Sequence, residues 1–362
     1  MKNRIVCIIT LCLSTLLSIF LFIGCGNSSE NADYSLSSDG TYYTYVGKEN
    51  GTETELSVKS EINGIPVTEI DEKAFSNNTA LISVVIPNSV TKLGKSAFNN
   101  CTSLENVTLS DAIVRIPEKA FYQCKALKSI TLPSGLLYIG KSSFYRCGLT
   151  SVSFPSSLIG IGEKAFYGNG DLTSVVLPDS LTKLDAEAFR NCSGITALTI
   201  NKALTVISES SFRDCFGIET ISFAMDGELE KINGSAFREC RKIQNLKFPN
   251  SLEEIGDAAF YNCLGLKRVE FGTGLRLIRG EMINGEGMGA FGRSKKEDGT
   301  RDIIDEMIFP LTEGWVADHI DSAIGLSPST HVYTSEQMGN PATAADLVCN
   351  KMSGYNWMRL AT

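Results

Sequence analysis

Residues 104–124 read LENVTLSDAIVRIPEKAFYQC, and residues 127–147 read LKSITLPSGLLYIGKSSFYRC. Both begin Leu-x-x-Val/Ile-x-Leu, pass an Ile near the middle, reach a Phe behind a small residue, and place a Cys three positions beyond it. The Phe returns at Phe75, Phe98, Phe121, Phe144, Phe166, Phe189, Phe212, Phe237 and Phe260, with spacings of 23, 23, 23, 22, 23, 23, 25 and 23. A unit this short cannot bury its own apolar face, so a period in the twenties is the mark of units stacked as a solenoid.

Leu104-x-x-Val107-x-Leu109, Leu127-x-x-Ile130-x-Leu132, Leu149-x-x-Val152-x-Phe154 and Leu172-x-x-Val175-x-Leu177 end in the inward–outward alternation of a short, half-buried strand. One strand is therefore expected per unit. Pro87, Pro133, Pro155, Pro178 and Pro249 follow such strands, where a missing backbone N–H ends the ladder. Each repeat Phe should insert between neighbouring turns, a burial worth ~1.5 to 3 kcal/mol.

The complete unit, L-x-x-V-x-L-P-x-S-L-x-x-I-G-x-x-A-F-x-x-C, closely resembles the bacterial leucine-rich-repeat family of the BspA type, from about residue 53 to 271. Thr41-Tyr42-Tyr43 through Ile62-Asn63-Gly64-Ile65-Pro66-Val67 resembles the capping hairpin and first half-repeat that open such arrays. The resemblance implies a leucine-rich-repeat solenoid with about 22–25 residues per repeat. Its parallel β-sheet would be curved, with short turns or 3-10 segments on the convex side and a cap at both ends. It also implies export to the cell surface and roles in adhesion or protein binding.

The expected organisation begins with a lipoprotein signal peptide over 1–24. Lys2 and Arg4 precede the apolar run Ile5 to Ile23. Leu21-Phe22-Ile23-Gly24-Cys25 resembles a lipobox, so Cys25 is the candidate lipidation site and the membrane anchor. Residues 25–40 read as a flexible tether, 41–66 as the N-terminal cap and first half-repeat, and 67–271 as regular repeats. Residues 272–302 read as a Gly-rich inserted loop, and 303–362 as the last irregular repeats and C-terminal cap. There Ile304-x-x-Met307-x-Phe309 restores the strand pattern, His331-Val332-Tyr333 could form a final strand, and Ala342 to Trp357 has the spacing of a short helix.

With 43% apolar and 20% charged residues, a packed core is available and a disordered chain is excluded. The net charge is −8; removing Lys2 and Arg4 with the signal leaves 31 basic against 41 acidic residues, or −10. Such a chain lacks the basic footprint that nucleic acid requires.

Cys101, Cys124, Cys147, Cys192, Cys215, Cys240 and Cys263 each lie three residues beyond a repeat Phe, in a slot that holds Asn78 and Asn169 elsewhere. A slot that accepts Cys or Asn reads as an inward turn position rather than a disulfide framework or a metal site. Stacked neighbours could still reach bridging distance. His319 and His331, with Asp318 and Asp321, are the sole material for an acid–base site in the tail, and no nucleophile, zinc or phosphate-loop motif occurs. No catalytic residue, metal or cofactor is expected.

Two surfaces could bind a macromolecular ligand, protein or glycan. The strand face offers small polar residues, with Ser83, Asn106, Ser129, Ser151, Ser174, Thr220 and Asn245 in one row, and Val85, Thr108, Thr131, Ser153, Val176, Thr199 and Ser222 in the next. The residue after each repeat Phe runs Tyr122, Tyr145, Tyr167, Arg190, Arg213, Arg238 and Tyr261. Tyr and Arg dominate interface cores, stack on sugars and pair with carboxylates, so this stripe is the candidate binding site. Adhesion leads the functional expectations, ahead of an envelope scaffold and of an enzyme housed in the C-terminal part.

Overall fold

The computed structural model describes residues 32–47, 50–283, 286–293, 304–311, 315–318, 331–332, 335–351 and 356–359. The proposed lipidation residue Cys25, the signal segment and His319 lie outside them. The described body belongs to one unit, Asp33–Thr362, a parallel-sheet solenoid that advances by about one repeat per turn.

The Leu-x-x-Val-x-Leu segments form the expected ladder. Glu55–Ser57, Ser83–Val85 and Asn106–Thr108 pair in parallel; Ser174–Val176, Ala197–Ile200 and Thr220–Phe223 form a second parallel group, and Asn245–Lys247, Arg268–Glu270 and Glu306–Ile308 a third, whereas residues 127–132 and 149–154 between the first two groups are not paired as strands. Each turn also contributes a second strand that the pattern of one strand per unit does not anticipate. Arg115–Ile116, Tyr138–Ile139, Gly160–Ile161 and Lys183–Leu184 pair in parallel, as do Val206–Ile207, Lys231–Ile232, Glu254–Ile255 and Leu277–Ile278. Two residues suffice because the Ile or Leu of each pair points inward and the next turn supplies the hydrogen bonds.

The third side holds the Phe. Its rings make an unbroken spine from Tyr45 through Phe75, Phe98, Phe121, Phe144, Phe166, Phe189, Phe212, Phe237 and Phe260 to Phe291, with centroids 4.6–5.4 Å apart and planes within 2–17° of parallel. The bend that places each ring is left-handed at two points, two residues before and two after the Phe: Lys119 and Gln123 (φ 54° and 59°), Glu187 and Asn191 (57° and 59°), Ser210 and Asp214 (55° and 63°). Side-chain-bearing residues resist this conformation by ~1 to 2 kcal/mol each. Bonds to the next turn offset it: Lys119, Phe121 and Gln123 donate their N–H groups to the carbonyls of Lys141, Ser143 and Tyr145 at 2.9, 2.7 and 2.8 Å. The bends thus form a third hydrogen-bonded rail.

The Cys column closes this side from within. Cys124 Sγ donates to the Phe98 carbonyl of the preceding turn at 3.1 Å, and Cys147 and Cys192 do the same to Phe121 and Phe166 at 2.9 and 3.1 Å. Asn169 bonds through Nδ2 to Phe144 and Phe166 carbonyls at 2.9 and 2.7 Å, which explains why Asn replaces Cys. All the described cysteines are free thiols, and burial pushes Cys101, Cys147, Cys192 and Cys263 up to about 12.

Within the 25–40 stretch expected to be a tether, Tyr34–Leu36 pairs antiparallel with Tyr43–Tyr45, which runs parallel to Ile65–Ile70. The 272–302 segment expected as an inserted loop carries a further turn. Leu277–Ile278 extends the second ladder, Phe291 extends the spine, and the additional length includes the hairpin Gly280–Ile283 with Glu286–Gly289. At the end, Asn356–Arg359 pairs antiparallel with Leu277–Ile278 and with Trp315–Asp318, while the helix Pro341–Asp346 packs on Glu306–Ile308. Of the helix expected over 342–357, residues 342–351 are helical. Trp357 belongs to a strand, where it is buried against the last turn.

Candidate functional site

Because every turn repeats the same bend, the residue after each Phe emerges at the same place and the seven candidates line up as a rail. Tyr122, Tyr145 and Tyr167 stack on one another, at 4.7 Å and 4° and then 4.8 Å and 14°. Both faces of Tyr145 and of Tyr167 and one face of Tyr122 are therefore used within the protein, which narrows the sugar-stacking platform the sequence offered; edges and hydroxyls remain. Among the described residues these three hydroxyls have no hydrogen-bond partner.

Arg190 lies 5.7 Å from the Tyr167 ring and continues the stack. It is held on both sides: its Nη1 donates to Glu187 at 3.1 Å and its Nε to Asp214 at 3.2 Å. Partial burial works against the Arg190 charge, but these two carboxylates outweigh it and raise its pKa. Both acids sit at the left-handed points of the bends. The sequence shows them as unremarked polar residues, and only the fold turns them toward the rail.

Arg213 is less well served. Its side chain is 29% exposed, its pairing with Asp214 is at 3.6 Å, and its Nε is buried without a hydrogen bond. Burial, then repulsion from Arg190 and Arg238, lowers its pKa despite Asp214 and Glu187. Arg238 has a buried, unbonded Nε as well, and its guanidinium carbon rests 5.1 Å above the Tyr261 ring. Tyr261 itself is 5% exposed, because Gly292 of the next turn passes over it, so it supports the rail and does not present to a ligand.

The strand face behaves as a solvated sheet over most of its length. Its exposed apolar residues are Val85 and Val176, at 44% and 63%. Toward the C-terminal end it becomes charged: Arg268 pairs with Glu270 at 2.9 Å and with Glu306, and Lys247 with Glu270 at 3.6 Å. Among the described residues no group of three or more His, Cys, Asp or Glu could hold a metal, and no helix is long and apolar enough to cross a membrane.

A family model described as the BspA-type leucine-rich repeat region matches in six copies, over residues 55–172 and 159–286. The chain belongs to this family. Among solved structures, a leucine-rich repeat protein from Bacteroides ovatus is similar to this BspA-type chain at 25% identity and a TM-score of 0.59, covering 66% of this chain and 69% of that one. A leucine-rich cell surface protein from Faecalibacterium prausnitzii is 21% identical, with a TM-score of 0.38, over 66% of this chain and 92% of that one. No curated protein matches the sequence. BspA-type and related solenoids are scaffolds rather than catalysts as a rule: function resides in what their repeated faces display.

Proposed function

We propose that this protein is a non-catalytic, surface-bound ligand receptor, held to the membrane by lipid on Cys25, whose protein or glycan partner docks along the rail from Tyr122 to Arg238. One observation carries the reading: on this partly exposed rail Arg213 meets its carboxylate only at 3.6 Å, Arg238 has no ion pair among the described residues, and the Nε of each is without a hydrogen bond. A guanidinium that is poorly paired within the protein is left to pair with an anionic group of a ligand. Tyr and Arg also lose little conformational freedom here, since stacking holds them in place before any partner arrives.

The three arginines of the rail are interleaved with Glu187 and Asp214 on a chain of net charge −8, which favours a specific contact with one anionic group over general attraction. The test is capture of the soluble chain from residue 30 onward by arrays of matrix proteins and glycans. A saturable partner lost when Arg190, Arg213 and Arg238 are replaced together by Gln supports the rail. A partner that binds the triple variant equally well overturns it.

A further inference from the structure

Beside Arg238 the surface is notched. One column of the bends carries Glu72, Lys95, Glu118, Lys141, Glu163, Ala186, Glu209, Gly234 and Asp257 in successive turns, so that Gly234, in the turn of Arg238, lies between two acidic side chains. The missing side chain opens a cavity of about 470 Å³, with Arg238 lining it and Glu209 and Asp257 on either lip. Lys231 and Arg279 also line it, but both are engaged with Glu254, at 3.0 and 2.5 Å. Burial acts against the Glu254 charge, yet these two cations outweigh it and hold its pKa low. Among the described residues the Arg238 guanidinium makes no hydrogen bond or ion pair, its contact being the Tyr261 ring beneath.

We propose that this notch receives a carboxylate side chain of a protein partner, which pairs with Arg238 while cationic residues flanking it on the partner meet Glu209 and Asp257. This rests on the rail being the docking face, and narrows the ligand from macromolecule in general to a peptide segment. A planar carboxylate matches the guanidinium fork, and the acidic lips reject a run of anions but accept an anion between cations. A glycan fits less well, because the tyrosine faces that would stack on sugar rings cover one another. In an extended segment, side chains two residues apart project to the same side about 6.6 Å apart, close enough to the turn spacing for long side chains to span Glu209, Arg238 and Asp257 together.

The experiment titrates the full chain in detergent with acetylated Lys-Gly-Glu-Gly-Lys, its Gln counterpart, and a glucuronate oligosaccharide, following the Arg Nε–H signals by NMR. The Glu peptide should bind at least tenfold more tightly than the Gln peptide. Arg238→Gln should abolish that preference and Arg268→Gln, on the strand face away from the rail, should keep it. Gly234→Glu, which fills the notch and leaves Arg238 in place, should weaken binding at least tenfold. Equal binding of the two peptides, an undiminished preference in Arg238→Gln, or Arg238-dependent binding of the oligosaccharide alone would each overturn the proposal. If an array partner depends on Tyr122, Tyr145 and Tyr167 but not on Arg238, the docking rail survives and the carboxylate notch does not.

Discussion

Two columns run side by side along this solenoid, the Phe column and the column one residue beyond it, and they obey different rules. The Phe rings are buried, stacked in every turn, and backed by Cys or Asn groups that bond the Phe carbonyls from Phe75 to Phe237. The neighbouring column is partly exposed from Tyr122 to Arg238 and buried at Tyr261, changes from Tyr to Arg and back, and leaves two arginines short of partners. A repeat fold holds the first column constant because each turn needs the same closure, and frees the second for recognition. Substitutions should therefore separate the two columns sharply, stability following one and binding the other.

The largest effect is expected on alkaline titration, since the thiols lie in the closed column. Burial raises the thiol pKa from an ordinary 9.0 to about 12 in Cys101, Cys147, Cys192 and Cys263. The folded state then binds more protons than the unfolded state between those values, so stability is unaffected below pH 9 and falls steeply as pH rises toward 12. Thermal midpoints together with thiolate absorbance check this; thiolate appearing near pH 9 in folded protein would show that the column is open to solvent. Phe166→Ala should lower stability by ~3 to 5 kcal/mol in denaturant unfolding, because a cavity opens in the middle of the spine.

Asn169→Leu should cost about 1 to 3 kcal/mol by stripping donors from the Phe144 and Phe166 carbonyls, whereas Asn169→Cys, which restores the bond made in neighbouring turns, should cost clearly less. Lys119→Val forces a β-branched residue into φ 54° and should lose ~1 to 2 kcal/mol, while Lys119→Gly should be tolerated better. At the small end, Arg238→Gln should change the free energy of unfolding by within ~0.5 kcal/mol, as expected of a partly exposed position outside the core. A large loss of stability there would erase the distinction between the columns.

How much of this was legible in the sequence follows from the same contrast. One residue type at one period announced the Phe column, and a fixed offset from it located the rail. The second ladder was hidden because two residues per turn, such as Arg115–Ile116, give no alternation to detect. The left-handed bends were hidden because Lys, Ser and Glu occupy them instead of Gly. Glu187 and Asp214, which hold Arg190, could have been found by reading the columns two residues before and two after each Phe as a pair of flanks to the rail. At the C-terminal end the helical spacing over 342–357 holds to Lys351 and does not reveal that Trp357 lies in a strand, because that strand is set by pairing with Leu277–Ile278.

The decisive measurement takes a partner captured by the wild-type chain and compares its affinity for two variants of equal charge change, Arg213→Gln with Arg238→Gln on the rail, and Ser174→Glu with Thr199→Glu on the strand face. At least tenfold weaker binding in the rail variant with an unchanged constant in the strand-face variant is the predicted result. Weakening confined to the strand-face variant would contradict the account and move recognition to the first ladder.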